Sequence, residues 1–465
     1  MDDASPARGT RRSGGARLRA AAVRFWGLGL VRDAAGSTLL RTANTVLAFL
    51  TTVLLARLLG AEGFGVYAFS YALVTLLAVP VHVGLPSLVM RETARGMAQD
   101  RPDLVKGVWR WAARFTVTLS VVVTLGLGPI IVWLRGGLGE VAGNTMAWAF
   151  AVVPFMAFTS VCGGAMRGLR FVLAGQLSEL IVRPGLFLMA IGAAAFIVPD
   201  RISAPFAMLL QAGACLGAFL VGAWMLFRVA PQSVRRARAE AETATWLSSS
   251  FLFGLSAGFA IINKQVSTVV LGVFEAPDQV GVFRVAVQVA LLAAFGLQAV
   301  NQVVAPRFAL AYARGDLAYL QRLATASARL VLAFSVLVTG LVAGFGRSVF
   351  PVVFGAELSP AFLPLLILLV GQLVNSVVGP VGFLLKMTGH EREIVRAMVL
   401  GAVMNVCLSL LLIPAHGILG AAVAEATSMA TWSALLWWRA RQVLGVDSSA
   451  FGLMAPASGD RRGGP

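Results

Sequence analysis

The feature that most constrains this chain is a set of long apolar runs that contain no charged residue. Such runs extend over Ala142–Met166, Ile202–Phe227, Val285–Pro306 and Leu358–Leu385. Each reaches the roughly 20 residues that an α-helix needs to cross a bilayer. Only 13% of the chain is charged, whereas soluble domains average about 25%. We therefore predict an all-α polytopic membrane protein, because α-helices satisfy their own backbone hydrogen bonds in lipid.

The apolar pattern predicts about twelve transmembrane helices by the bilayer-length criterion. Their approximate ranges are 38–59, 64–90, 112–134, 143–166, 172–198, 204–227, 248–272, 281–305, 327–349, 360–386, 395–414 and 417–438. Short connections marked by glycine or proline alternate with longer, basic ones. This alternation places the two classes of connection on opposite faces of the membrane.

The distribution of basic residues predicts which face is cytoplasmic. Most of the 38 Lys and Arg residues lie in the two tails and the basic connections, and the opposite face carries only a few. Cytoplasmic loops hold the excess of Lys and Arg, so we expect both termini in the cytoplasm. The net charge of +17 has the same origin. Because it is spread over separate segments, we expect no nucleic-acid partner.

Two parts of the chain resemble each other and predict two lobes. The segment VVLGVFEAPDQVGVFRVAVQVALL (269–292) repeats features of ARLLGAEGFGVYAFSYALVTLL (56–77). Aligning Gly65 with Gly281 also aligns Arg91 with Arg307. Two six-helix lobes of equal orientation would be related by a pseudo-twofold axis along the membrane normal, with a site between them. The predicted domains are a basic cytoplasmic tail (1–35), an amino-terminal lobe (36–228), a basic cytoplasmic linker (229–247), a carboxyl-terminal lobe (248–441) and a disordered cytoplasmic tail (442–465).

Several of these segments resemble a known family. LLARLLGAEGFGVYAFSYALVTLL followed by GLPSLVMRETAR is similar to the amino-terminal signature of bacterial polysaccharide (O-antigen-type) flippases, and VLGVFEAPDQVGVFRVAVQVA to their seventh and eighth spans. These flippases belong to the multidrug/oligosaccharidyl-lipid/polysaccharide exporter superfamily. The resemblance implies alternating access around a central cavity, a lipid-linked oligosaccharide substrate and a bacterial plasma membrane location. Assembly proteins such as a polysaccharide polymerase would be its partners.

Ionisable residues inside spans are the candidate site residues, since a charge at a helix centre costs about 2.5–3.5 kcal/mol on translocon scales. An anionic diphosphate head group would need a wet and positively charged path. The candidate substrate-binding residues are Lys264, Arg41, Arg284, Arg183, Asn44 and Asn263. Glu425 and Glu179 are the internal acids and the candidates for ion coupling. The resembling family often has an acid before the LG of the seventh span, where this chain has Lys264 in NKQVSTVVLG.

Other interpretations of the same residues remain open. Arg41 is equally explained as a side chain that snorkels to the cytoplasmic head groups. Glu179 and Arg183, four residues apart on a helix, are suited to a local structural pair. Arg284 is also suited to anchor a helix at the outer interface. Polar amides such as Asn44 also join helices to one another within membranes.

The missing motifs limit the function. The chain has no GxxxxGK[ST] sequence and no metal-ligand spacing of Cys or His, so we expect no ATPase activity, metal or cofactor. No connection is long enough for a catalytic domain, and we expect the protein not to be an enzyme. A flippase is the favoured class. The alternatives are a cation-coupled drug or metabolite exporter of the same superfamily and a membrane polymerase or ligase for glycans.

Overall fold

The computed structural model describes residues 12–82, 84–240 and 242–452. These residues form α-helices with no β-strand among them. The helices are α1 (Arg12–Leu77), α2 (Val79–His82), α3 (Leu85–Ala98), α4 (Pro102–Leu138), α5 (Glu140–Gly168), α6 (Ala174–Leu177), α7 (Arg183–Ile197), α8 (Ala204–Val229), α9 (Gln232–Arg236), α10 (Thr243–Phe274), α11 (Pro277–Ala313), α12 (Leu317–Phe354), α13 (Phe362–Val378), α14 (Val381–Met387) and α15 (Glu391–Leu444). A π-helical turn occupies Ser178–Val182, and 3-10 turns occupy Pro199–Arg201 and Ala356–Ala361.

Eight helices in the described part of the chain are long and apolar enough to cross a membrane. Two of them, α1 and α15, each hold two predicted spans. The third and seventh predicted spans correspond to α4 and α10. The prediction of an all-α, multi-pass membrane protein with two helical lobes is therefore confirmed.

Glycines divide the two longest helices. Gly60 has a φ of 67° within α1, and Gly417 has a φ of 54° within α15. Side chains with a Cβ atom rarely adopt this left-handed region, whereas glycine adopts it at little cost. The chain can therefore turn sharply between two spans without a long loop.

The two lobes meet where α1 crosses α11. A Cβ atom on Gly65 would collide with the carbonyl of Pro277, and one on Gly281 would collide with the carbonyl of Ala61. Glycine lets two helix backbones approach this closely. Gly65 and Gly281 are equivalent positions of the sequence repeat, and equivalent residues that touch lie close to the twofold axis that relates them. Their contact thus marks the centre of the lobe interface.

Helix α10 belongs to both lobes. Near its start, Trp246 is buried in a cluster with residues of α3 and α4, including Leu88 and Val108. Further along α10, Ser267 Oγ donates to Asn405 Oδ1 of α15 at 3.1 Å. The first turns of α10 therefore pack with the amino-terminal lobe, and its later turns pack with the carboxyl-terminal lobe.

The segments that follow each lobe fold back onto it. In the linker, Lys106 Nζ of α4 donates to the carbonyl of Ala237 at 2.8 Å. After α15, Ala450 N donates to the Val377 carbonyl at 2.8 Å, and Ser448 Oγ donates to the Val378 carbonyl at 3.1 Å. The first part of the tail predicted to be disordered is thus packed against α13, while residues 453–465 lie outside the described part. At the other end, α1 already begins within the predicted amino-terminal tail.

Candidate functional site

Four charged side chains from four helices interact electrostatically between the lobes. They are Arg183 of α7, Lys264 of α10, Arg284 of α11 and Glu425 of α15. Lys264 interacts with the other three, and Arg284 interacts with Glu425. We call these four residues the cationic cluster, since it combines three positive charges with one negative charge.

Lys264 has exposed surface in the isolated chain although it lies within a predicted membrane-spanning helix. Its neighbours along the chain from Gln265 to Thr268 are buried, whereas Lys264 is exposed. Protein atoms nevertheless surround the lysine, and charged residues of other helices are among its neighbours. Lys264 therefore lies near charged side chains of three other helices.

The charges of the cluster are not neutralised by close pairing. Among the side chains that the structure describes, no ion pair within 4.0 Å involves Lys264, Arg284 or Glu425. Arg284 Nη1 is buried without a hydrogen-bond partner. A buried donor left unpaired costs about 1–3 kcal/mol, and a charged one costs more. Among the described residues, Arg284 therefore retains a hydrogen-bond donor with no partner.

A local irregularity in the helix precedes Arg183. The π-helical turn Ser178–Val182 ends directly before it, and Pro184 follows it. Proline has no N–H to donate to the carbonyl of Leu180, so the regular hydrogen-bond ladder is interrupted there. Such single π-turns often occur at functional sites, because they change the direction of the side chains beside them.

Glu179 links the cationic cluster to a second charged group. It interacts electrostatically with Arg183 and with Arg167 of α5, and Arg167 also interacts with Arg41 of α1. Glu179 and Arg183 are not among the described ion pairs within 4.0 Å, so the predicted local pair is loose. Arg41 is exposed and lines a small crevice with Gln298 of α11.

The two predicted asparagines have different surroundings. Asn263 Nδ2 donates to the Met398 carbonyl of α15 at 3.2 Å, and Asn405 Nδ2 donates to the Asn263 carbonyl at 3.2 Å. Asn263 therefore joins α10 to α15 and positions the helix that carries Lys264. Asn44 is half-buried on α1, one turn beyond Arg41.

Sequence reasoning missed two tyrosines beside the cluster. Tyr67 and Tyr71 of α1 interact electrostatically with Arg284, and both also interact with Arg183. Their rings are nearly parallel, with centroids 6.2 Å apart. The signal was present, because the chain has only 4 tyrosines and two of them are spaced four residues apart in one span.

An apolar cleft lies between α2, α4 and α10. Its volume is about 350 Å³, and its lining is mostly apolar: Val79, Pro80, Phe115, Leu119, Leu247, Ser250, Phe251, Gly254, Gly258, Phe259 and Ile262. Lys264 lies two residues beyond Ile262, and side chains two apart do not share a helix face. Helix α10 thus presents the apolar cleft on one side and Lys264 on another.

Comparison with known proteins gives a family match and one curated relative. Residues 30–311 match the family described as "Polysaccharide biosynthesis protein". The chain is 23% identical over 391 residues to a probable low-salt glycan biosynthesis flippase, Agl15, of Haloferax volcanii. That alignment covers 83% of this chain and 78% of the relative.

Solved structures of transporters share the fold. An inward-facing MATE family multidrug resistance transporter of the MOP superfamily superposes with a TM-score of 0.70 at 15% identity, covering 88% of this chain and 98% of the other. The lipid II flippase MurJ, in an inward closed conformation, gives a TM-score of 0.68 at 11% identity and 87% coverage of both chains. At such identities the likeness concerns the fold.

Proposed function

Because the chain belongs to the polysaccharide biosynthesis protein family, we propose that it is a flippase for a lipid-linked oligosaccharide. It would move a glycan carried on polyprenyl diphosphate from the inner to the outer leaflet by alternating access. The name of the curated relative, a probable glycan biosynthesis flippase, supports this proposal. The proposed location is the bacterial plasma membrane with both termini in the cytoplasm, beside a polysaccharide polymerase and other assembly proteins.

The cationic cluster is the observation that carries the proposal. A diphosphate cannot enter hydrocarbon without losing its hydration, and an isolated buried charge costs several kcal/mol or more. Arg183, Lys264 and Arg284 offer positive charge that close ion pairs do not neutralise. A bound diphosphate would gain attraction from all three cations while the lobes enclose it.

Glu425 is proposed to balance the cluster when no substrate is bound. It interacts with Arg284 and Lys264, so it reduces their mutual repulsion. An arriving diphosphate would compete with this carboxylate for the same cations. Substrate binding would therefore weaken one set of contacts while forming another, which is what a change between two states of the lobes requires. Glu179 would act similarly toward Arg183 and Arg167.

The apolar cleft offers a second element that a lipid-linked substrate needs. The carrier chain must stay in a nonpolar environment while its head group crosses. The cleft between α2, α4 and α10 is lined mostly by apolar side chains, with rim residues such as Phe251 exposed. Its position on α10 would keep the chain close to the helix that carries Lys264.

A cation-coupled exporter of drugs or metabolites is the second candidate. The fold shared with a multidrug transporter favours considering it. A site for cationic compounds would need an excess of acidic side chains, whereas the cluster has three bases for one acid. The electrostatics therefore favour an anionic substrate.

Deletion of the gene in its own host tests the proposal. The deletion strain should lose surface polysaccharide and accumulate the lipid-linked oligosaccharide, and a plasmid copy should reverse both effects. Mass spectrometry of extracted lipids and staining of surface glycan measure the two. Normal surface glycan together with increased sensitivity to cationic drugs would instead support the exporter.

A further inference from the structure

Three aromatic rings form a column that starts in the core of the amino-terminal lobe. Phe187 of α7 stacks on Tyr67 with centroids 6.1 Å apart and planes 6° from parallel. Tyr67 stacks on Tyr71 at 6.2 Å and 7°. Near-parallel rings at such distances are offset-stacked, which is a favourable geometry for aromatic pairs.

The two ends of the column differ in accessibility. Phe187 is 3% exposed and Tyr67 is 8% exposed, whereas Tyr71 is half-buried. Tyr67 Oη lies 3.5 Å from Gln211 Oε1 within the lobe. Among the described residues, the Tyr71 hydroxyl makes a weak contact with Met156 Sδ, at 4.0 Å. Tyr71 is therefore the more accessible end of the column, and Tyr67 stacks on one of its ring faces.

The accessible end of the column lies near the cationic cluster. Tyr71 interacts electrostatically with both Arg183 and Arg284. A ligand whose diphosphate is held by these arginines would place the group attached to that diphosphate next to Tyr71. In the substrate of the proposed function, that group is a sugar.

We propose that Tyr71 is a sugar-stacking residue that recognises the first sugar of the lipid-linked glycan. The axial C–H bonds of a sugar ring carry partial positive charge and pack on the electron-rich face of an aromatic ring. The Tyr71 hydroxyl can also exchange a hydrogen bond with a sugar hydroxyl. Tyr67 and Phe187 hold the ring in place from behind, so little conformational entropy is lost on binding. This inference rests on the proposed function, because it assumes a glycosylated lipid diphosphate.

Binding of two matched lipids to the purified protein tests the role of Tyr71. The probes are undecaprenyl diphosphate and the same lipid carrying one N-acetylglucosamine, each measured with wild type and variants in nanodiscs. Wild type should bind the glycosylated probe more tightly. Tyr71→Leu should weaken binding of that probe by about tenfold, the upper range for one stacking contact. Its affinity for the sugar-free probe should stay within about twofold.

Conservative variants separate stacking from a purely structural role. Tyr71→Trp keeps an aromatic face and should bind the glycosylated probe nearly as wild type does. Tyr71→Phe keeps the ring and should lose only the hydrogen bond of the hydroxyl. Its affinity for the glycosylated probe should therefore fall by about threefold, as for one modest hydrogen bond. An equal loss for both probes in Tyr71→Leu would overturn the inference, as would equal binding of both probes by wild type. Failure of wild type to bind either lipid would instead refute the proposed function.

Discussion

Lys264 carries a positive charge on a membrane-spanning helix, and Glu425, an acid that interacts with it, lies on another helix and beyond ion-pair distance. Such a charge costs about 2.5–3.5 kcal/mol at a helix centre on translocon scales. Among the described residues, no acid lies within 4.0 Å of Lys264 to offset this cost. We therefore propose that an anionic ligand supplies the counter-charge.

Substitutions of Lys264 should separate charge from structure. Lys264→Ala should reduce surface glycan by at least about tenfold, because one charge-assisted contact contributes about 1.5–3 kcal/mol. Lys264→Arg should keep part of the activity, and Lys264→Glu should be at least as damaging as alanine. Surface glycan in the complemented deletion strain is the measurement, and immunoblots of membranes control for protein level. Full glycan display by the alanine variant would exclude a substrate role.

At the residue scale, the sequence was most informative at residues whose chemical type is unusual for their surroundings, such as a charge within an apolar span. Arg183, Lys264 and Arg284 were found because charges are rare inside apolar spans, and the structure brings them together with Glu425. Their role in binding remains a prediction. Tyr71 was missed, because an aromatic residue in an apolar span is ordinary until its neighbours are known. The helix-joining contacts of Asn263 also depend on the position of α15, which no local pattern specifies.

At the scale of secondary-structure elements, the close crossing of two helices gives the clearest test of the described packing. In α1 and α11, Gly65 and Gly281 have no room for a Cβ atom, since backbone of the opposite helix fills the space. Gly213 of α8 has no atom within 4 Å of the position that a Cβ would occupy. The same chemical change should therefore have opposite consequences at the two kinds of site.

Gly65→Ala should lower the thermal stability of the purified protein by several degrees, because overpacking costs about 1–3 kcal/mol. Gly213→Ala should leave stability unchanged or slightly raised, since alanine is the better helix former. Fluorescence-detected unfolding in detergent measures both. Equal melting temperatures for the two variants would show that the crossing of α1 and α11 is looser than described.

The segment after α15 carries an acid whose protonation state matters for packing. Partial burial raises the pKa of Asp447, but hydrogen bonds from Trp437 Nε1 and Ser449 N outweigh this and hold the pKa below its ordinary value of 3.8. A depressed pKa contributes stability that is fully present above 3.8 and is lost as pH falls through the lower folded value.

Asp447→Asn should therefore unfold at a lower temperature than wild type at neutral pH. The difference should shrink as the pH falls below 3.8, the ordinary pKa of the group. Melting curves of both proteins across pH provide the measurement. A difference that stays constant with pH would mean that the carboxylate charge does not stabilise this segment.

At the scale of the whole molecule, the lobes are joined at one end by polar contacts between distant parts of the chain. Arg57 Nε donates to the Val353 carbonyl at 2.7 Å, and Ala61 N donates to Glu357 Oε2 at 3.3 Å. The sequence predicts that these connections lie on the outer face. With that orientation, opening toward the outside would have to break these contacts.

The orientation in the membrane can be tested with single cysteines. After removal of the native Cys162, Cys215 and Cys407, Ser233→Cys in the linker should react with an impermeant thiol reagent only in inside-out vesicles. Ser359→Cys, between α12 and α13, should react from outside in intact cells or spheroplasts. Labelling of both positions from the same side would contradict the proposed topology.

The sequence predicted the number of spans and the two lobes more directly than it predicted local breaks in the helices and contacts between them. Uncharged runs specified the spans, and the match of Gly65 with Gly281 indicated the paired lobes. The break after α2 and the contact of Gly84 with the backbone of Ser250 and Gly254 were not foreseen. Neither was the assignment of Trp246 to the core of the amino-terminal lobe. These features arise where α10 passes between lobes, and a pattern within one span carries no information about such contacts.

Reconstituted flipping tests the central claim most directly. The protein is placed in liposomes with a fluorescent oligosaccharide linked to undecaprenyl diphosphate, and an impermeant quencher reports which leaflet holds the glycan. Wild type should make nearly all of the lipid accessible, and Lys264→Ala should do so at least about tenfold more slowly. Protein-free liposomes should protect about half of the lipid, because half lies in the inner leaflet and does not cross unaided. Protection of half of the lipid by wild type, at a verified protein content, would contradict the account.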